Sequence, residues 1–155
     1  MSVAANISSQ TALASLPVGI DTSPIEARLV SELPLEPGWQ FEPEWDGFRC
    51  LAFRRNDEVG LRAKLGKLLT RYFPEMVSML RGVKPQHFVV DGELAIPIGK
   101  TLSFDAWQMR LHPAESRIQK LAAETPAIFI LFDCLMTSDK SILLDSPLTQ
   151  RRSEL

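Results

Sequence analysis

The chain has 155 residues, 45% of them apolar and 23% charged, with a formal net charge of −2, which fits one domain able to bury a core. That balance gives no support to a uniformly basic nucleic-acid-binding module, although a local basic face fits within a near-neutral total. No run of 18 apolar residues occurs, which argues against a membrane span, and Cys50 and Cys134, without CxxC spacing, argue against a zinc site or disulfide framework and read as buried free thiols.

The first twenty residues carry no charge, and Ser8, Ser9, Gln10 and Thr11 interrupt their apolar character. They lack the basic start of a secretory signal, so residues 1–24 are expected to form a flexible N-terminal tail. Pro24, Pro34 and Pro37 make the next stretch an extended lead-in. Trp39–Trp45 reads as a strand, Asp46-Gly47 as a turn, and Phe48–Arg54 as a strand with Phe48, Cys50 and Ala52 on one side and Arg49, Leu51 and Phe53 on the other. Asn56-Asp57 is a hairpin turn, Val59–Lys64 the returning strand, and Gly66 its end.

Pro74-Glu75 opens a helix to about Gly82, with Met76, Val77 and Leu80 on its apolar face. Phe88–Ile96 reads as a strand interrupted by Asp91-Gly92-Glu93. Ser103 caps a helix from Phe104 to about Leu111, ended by Pro113, and a short helix follows from Glu115 to about Ala123. Trp107 and Met109 are expected to serve helix packing, and Arg71, Arg110 and Arg117 to be solvated or ion-paired at the surface. Ala127–Met136 is so apolar that it is expected to be buried on both faces, and residues 147–155 begin another helix. Hairpins and short turns imply antiparallel pairing, hence an α+β fold with antiparallel sheets flanked by helices.

Four clusters place charge at a turn or inside an apolar strand: Glu42-Pro43-Glu44-Trp45-Asp46-Gly47-Phe48-Arg49, Arg62-Ala63-Lys64-Leu65-Gly66-Lys67, Val89-Val90-Asp91-Gly92-Glu93-Leu94, and Phe132-Asp133. Charges in core strands are costly unless paired. Glu93 and Asp133 therefore each require a partner, with Arg49 or Lys64 at hand, or a ligand. Together the clusters suit a molecule with both phosphate and hydroxyl groups.

WQFEPEWDGFRCLAF resembles the nucleotidyl-transfer motif of ATP-dependent DNA ligases, Glu-x-Lys-x-Asp-Gly-x-Arg, and VVDGELAI resembles their Asp-Gly-Glu motif. LRAKLGKLLTRYFPEM is similar to the strand and loop between these motifs. FDAWQMRLHPAESRIQKLAAETPAIFILFDCL is similar to the stretch leading to the family's adenine-stacking Phe-Asp motif. Four ordered motifs are more specific than any one. The resemblance, to ligases of the bacterial end-joining kind, runs from about Pro24 to Leu155 and implies that residues 25–155 are the N-terminal part of a ligase adenylyltransferase domain.

By resemblance, Glu42 meets the adenine edge, and Asp46 belongs to the nucleotide site. Arg49 reaches ribose or phosphate, and Lys64 lies near the phosphates and the nicked strand. Glu93 binds a ribose hydroxyl, Phe132 stacks on adenine, and Asp133 supports the pocket. The implied cofactors are ATP and Mg2+, with Mg2+ shielding the ATP phosphates. Nicked double-stranded DNA and end-joining proteins are the implied partners, in the bacterial cytoplasm near the nucleoid.

The family's lysine attacks the α-phosphate of ATP as a neutral amine, but this chain has Glu44 at that position and Ala63 where serine is usual. A carboxylate repels the triphosphate, and an acyl-phosphate formed there hydrolyses readily. No metal-binding acidic motif, lysine-rich motif or oligonucleotide-binding domain follows, so a truncated, catalytically impaired ligase with an exposed sheet edge is expected. A non-catalytic nucleotide- or DNA-binding remnant and an RNA-type nucleotidyltransferase are the alternatives.

Overall fold

A computed structural model describes residues 12–26, 29–111 and 114–155. Its centre is a four-stranded sheet in the order β2-β1-β3-β6, antiparallel throughout. The strands are β1 (Phe48–Arg55), β2 (Glu58–Ala63), β3 (His87–Ala95) and β6 (Ile128–Met136). The β1–β2 hairpin closes through Asn56 at positive φ, which an Asn tolerates well. A small hairpin of β4 (Pro97–Ile98) and β5 (Thr101–Leu102) stands beside the sheet; strands of two residues carry no periodic signal.

The alternation of β1 holds. Cys50 and Ala52 face a core shared with α1 (Pro74–Gly82) and α2 (Phe104–Gln108), through Phe73, Met76, Leu80 and Trp107. Helix α1 starts on Pro74, whose missing N–H costs nothing at that place. Helix α2 starts where the Ser103 hydroxyl accepts from the Ala106 amide at 3.2 Å. It is shorter than expected, and Met109 is half exposed, whereas Trp107 is buried and stacks on Phe48 at 3.4 Å between ring centroids. Helix α3 (Glu115–Glu124) buries Ile118 and Ala122. Pro113 lies outside the described residues.

The other face of β1 carries Leu51 and Phe53, which join Val89, Leu135 and Met136 under Leu13, Leu16 and Val18. Residues 1–11 of the expected tail lie outside the described residues, but the stretch from 12 onward docks on the sheet where composition suggested a loose tail. A Cβ on Gly60 would meet Leu13 Cδ1 at 2.6 Å, so the bare backbone of β2 makes room for that leucine.

Four further expectations need correction. Trp39–Trp45 is no strand: it pairs with no sheet edge, and Trp39, Phe41 and Trp45 are exposed, Pro43 lacking a ladder donor and holding Glu42 extended. Asp91-Gly92-Glu93 does not interrupt β3, which runs continuously between two partner strands. β6 is an edge strand, buried only from Asp133 to Met136, with Ile128 and Leu131 exposed. Arg110 is not a surface residue but fully buried. Its guanidinium donates to Tyr72 O, Leu121 O and Thr125 O and pairs with Glu75 at 2.9 Å, tying α1 to α3. Arg71 and Arg117 are exposed, as expected.

Candidate nucleotide site

Register builds the site. Arg49 of β1 lies opposite Glu93 of β3, two residues from Asp91, and Asp91 lies opposite Asp133 of β6. Between the Asp91–Asp133 and Gly92–Leu131 pairs the register shifts, so Phe132 is an extra residue in β6, a β-bulge. Bulges redirect a side chain, and here Phe132 meets Arg49, whose Cζ sits 4.5 Å from the ring centroid.

The Arg49 guanidinium is held in place by Asp91. Nε and Nη2 each donate to one Asp91 oxygen at 2.7 Å, and Nη2 also donates to Ile25 O at 3.0 Å. Burial pushes the Asp91 carboxyl up in pKa, and the Arg49 hydrogen bonds and charge pull against it. Asp91 is fully buried, so this fork stands in place of its lost hydration.

Glu93 makes no ion pair among the described residues. Burial pushes its carboxyl up to about 7; Arg49 pulls it down, and the charges of Asp91 and Glu44 push it further up. A Cβ on Gly47 would lie 2.8 Å from Leu94 O and 3.0 Å from Glu93 Cγ, so only glycine lets the Asp46-Gly47 turn ride against β3. That approach brings Glu44 into the electrostatic surroundings of Glu93.

The remaining expected residues are placed as follows. Glu44 and Asp46 are exposed. Glu42 is paired with Arg152 of α4 (Leu148–Arg152). Lys64 pairs with Glu26 at 3.2 Å, and its amide donates to Arg49 O at 3.3 Å, which sets Lys64 beside the site. Asp133 pairs with neither Arg49 nor Lys64: Arg151 binds it through two hydrogen bonds of 2.8 and 3.0 Å, both groups buried. Arg49, Glu93 and Phe132 are thus together, Lys64 adjoins them, and Glu42 and Asp46 lie on the exposed segment before β1.

Sequence reasoning missed Asp91 as the anchor of Arg49, although the shared parity of Asp91 and Glu93 on one strand was available. It missed Arg151 and Arg152, for which no local signal exists. A cavity of about 390 Å³ opens on the helix-covered face, lined by Leu80, Phe88, Phe129, Leu131 and Met136, and contains none of these groups. Among the described residues no group of three His, Cys, Asp or Glu side chains suits a metal ion, and no helix is long and apolar enough to cross a membrane.

An antiparallel sheet gathers an arginine, a carboxylate and an aromatic ring on one face. Residues 27–155 match the ATP dependent DNA ligase domain, and the chain belongs to that family. It is 44% identical over 140 residues to DNA ligase C of Mycobacterium tuberculosis, covering 90% of this chain and 38% of that protein. It is 27% identical over 105 residues to the multifunctional non-homologous end joining protein LigD of Mycobacterium bovis, covering 68% of this chain and 12% of that one. A solved mycobacterial DNA ligase D complexed with ATP and MES superposes with a TM-score of 0.55 at 27% identity, over 72% of this chain and 34% of that chain. The chain spans about two fifths of the length of the DNA ligase C relatives.

Proposed function

We propose that this chain forms the adenosine-binding side of a DNA ligase pocket and, with Glu44 at the nucleophile position, does not transfer AMP to itself. The observation that carries the reading is the convergence of Arg49, Glu93 and Phe132 from three neighbouring strands. Adenine stacks on Phe132, a ribose hydroxyl meets Glu93, and Arg49 and Lys64 face the phosphates. Glu42 lies at the adenine edge, and Asp46, in the exposed turn before β1, belongs to the nucleotide site. ATP fits this donor set. The described residues hold no group of three His, Cys, Asp or Glu side chains that suits a metal ion; Mg2+ is proposed as the ion that would shield the ATP phosphates, as the family resemblance implies.

In the family reaction a lysine amine displaces pyrophosphate from ATP and the enzyme then seals a nick in duplex DNA. That reaction, nicked DNA as substrate, end-joining proteins as partners and a place beside the bacterial chromosome are the roles proposed for the intact protein. Glu44 is exposed, so nothing masks its charge from an incoming triphosphate. Lys64 is no substitute nucleophile, being on the adjoining strand end and paired with Glu26.

The test is incubation with ATP labelled at the α-phosphate, for the chain as it stands and for Glu44→Lys. The expected result is no protein-bound label on the chain as it stands. Label on Glu44→Lys alone identifies position 44 as the lesion; absence from both assigns a further requirement to polypeptide outside this chain. Label on the unaltered chain overturns the reading.

A further inference from the structure

The segment Trp39–Trp45 pairs with no sheet edge, and Trp39, Phe41 and Trp45 are exposed. Among the described residues, the side-chain hydrogen bonds and ion pairs that tie this segment to the folded body come from one group, the Arg152 guanidinium. Arg152 Nη1 donates to Glu42 Oε1. With the Gln40 amide oxygen turned toward the arginine, Nη1 also donates there at 2.8 Å and Nε at 3.2 Å. Alternate side chains of an extended chain share a side, which brings Gln40 and Glu42 to the same arginine, and Pro43 keeps Glu42 extended. An exposed ion pair alone contributes little. A guanidinium fork that takes two side chains of one segment also fixes where that segment lies.

Arg152 is itself anchored through its neighbour. Helix α4 has five residues, and the buried Arg151 pins it: its guanidinium donates to both Asp133 oxygens at 2.8 and 3.0 Å and to Ser146 O at 2.8 Å. Asp133 directly follows Phe132 in β6. Two successive arginines thus connect the strand that carries the Phe132 ring with the segment that carries Glu42. The ring and the carboxylate, far apart in sequence, are held relative to each other by one turn of helix.

We propose that Arg152 is a positioning residue for base selection, holding the Glu42 carboxylate at the edge of a purine stacked on Phe132. This rests on the adenosine-pocket reading above and names what makes that pocket choose a 6-amino purine. A carboxylate accepts at both oxygens. Oε1 takes the arginine, and Oε2 is left to accept from a 6-amino group. A purine with a 6-carbonyl sets an acceptor against that carboxylate, and one with hydrogen at that place offers it no donor.

The experiment is calorimetric titration with ATP and with purine riboside triphosphate, which carries hydrogen in place of the 6-amino group. The unaltered chain is expected to bind ATP about tenfold more tightly, the scale of one hydrogen bond to a charged group. Arg152→Ala, and Arg152→Gln as a second variant that keeps the apolar stem, are expected to bring the two nucleotides within about twofold by weakening ATP alone. Glu42→Ala is expected to do the same, and Arg152→Ala/Glu42→Ala to go no further, since residues that act through one another are not additive. Thermal melting confirms that each variant is folded. An unchanged preference in the Arg152 variants, or an equal loss of both nucleotides, overturns the positioning role and leaves the adenosine pocket standing. So does an unaltered chain that binds the two nucleotides alike. An unaltered chain that binds neither overturns the positioning role and the pocket together.

Discussion

Glu93 faces opposed demands from its neighbours. Burial raises its carboxyl to about 7, and the Glu44 charge adds to the rise. The folded chain therefore binds more protons than the unfolded one between the ordinary glutamate value, about 4.3, and about 7. Stability falls as pH climbs through that window. Replacing Glu44 with lysine puts a cation where a like charge stood, so Glu44→Lys is expected to lower the Glu93 pKa and flatten that fall. Urea unfolding across pH 5–8 reads it, and an unchanged slope would mean that Glu44 and Glu93 are not neighbours.

Arg49 gives a second prediction at the same scale. Arg49→Ala strands the buried Asp91 carboxylate and is expected to cost about 3 kcal/mol, whereas Asp91→Asn/Arg49→Ala recovers part of it; denaturant titration of the two variants separates them. Arg49, Glu93 and Phe132 were legible through the resemblance to ligase motifs, each lying beside a turn or inside an apolar run, and the structure brings the three together. The motifs could not find the Arg49–Asp91 or Asp133–Arg151 pairs, since partners there are set by strand register and by a helix far along the chain.

Among the elements, β6 carries the most consequence. Its sequence is an apolar run, which promised burial on both faces, but its position at the sheet edge leaves Ile128 and Leu131 exposed. The bulge that turns Phe132 toward Arg49 has no local signature, because it depends on how β6 meets β3. Gly92 sits at that place: a Cβ there would fall 2.4 Å from Ile130 O and 2.8 Å from Phe129 Cε2. The first is backbone and cannot swing away. Gly92→Ala is therefore expected to push β6 off β3, at about 1–3 kcal/mol for overpacking, and to weaken ATP binding by displacing Phe132. Calorimetric titration beside urea unfolding checks both; a variant that is destabilised yet binds ATP unchanged would detach the bulge from nucleotide recognition.

On the scale of the molecule, one sheet serves two different faces. The helix-covered face holds the main core. The other is divided: Arg49, Glu93 and Phe132 stand at one end, and Leu51, Phe53 and Val89 at the other beneath Leu13, Leu16 and Val18. The N-terminal stretch thus roofs the Leu51, Phe53 and Val89 half of the face with its apolar residues and reaches the site half only with Ile25 and Glu26, which meet Arg49 and Lys64. Composition hid this, because an Ala/Ser/Thr-rich stretch with isolated leucines reads alike whether it docks or not. Leu13 and Leu29 make the contrast measurable, the first 3% and the second 97% exposed. Leu13→Ala is expected to cost about 2–5 kcal/mol, the range for emptying a buried leucine site, and Leu29→Ala less than about 0.5 kcal/mol. Urea unfolding of the two variants decides it: equal, small losses would mean that the stretch from residue 12 does not roof the sheet, and that Leu51 and Phe53 are covered by something else.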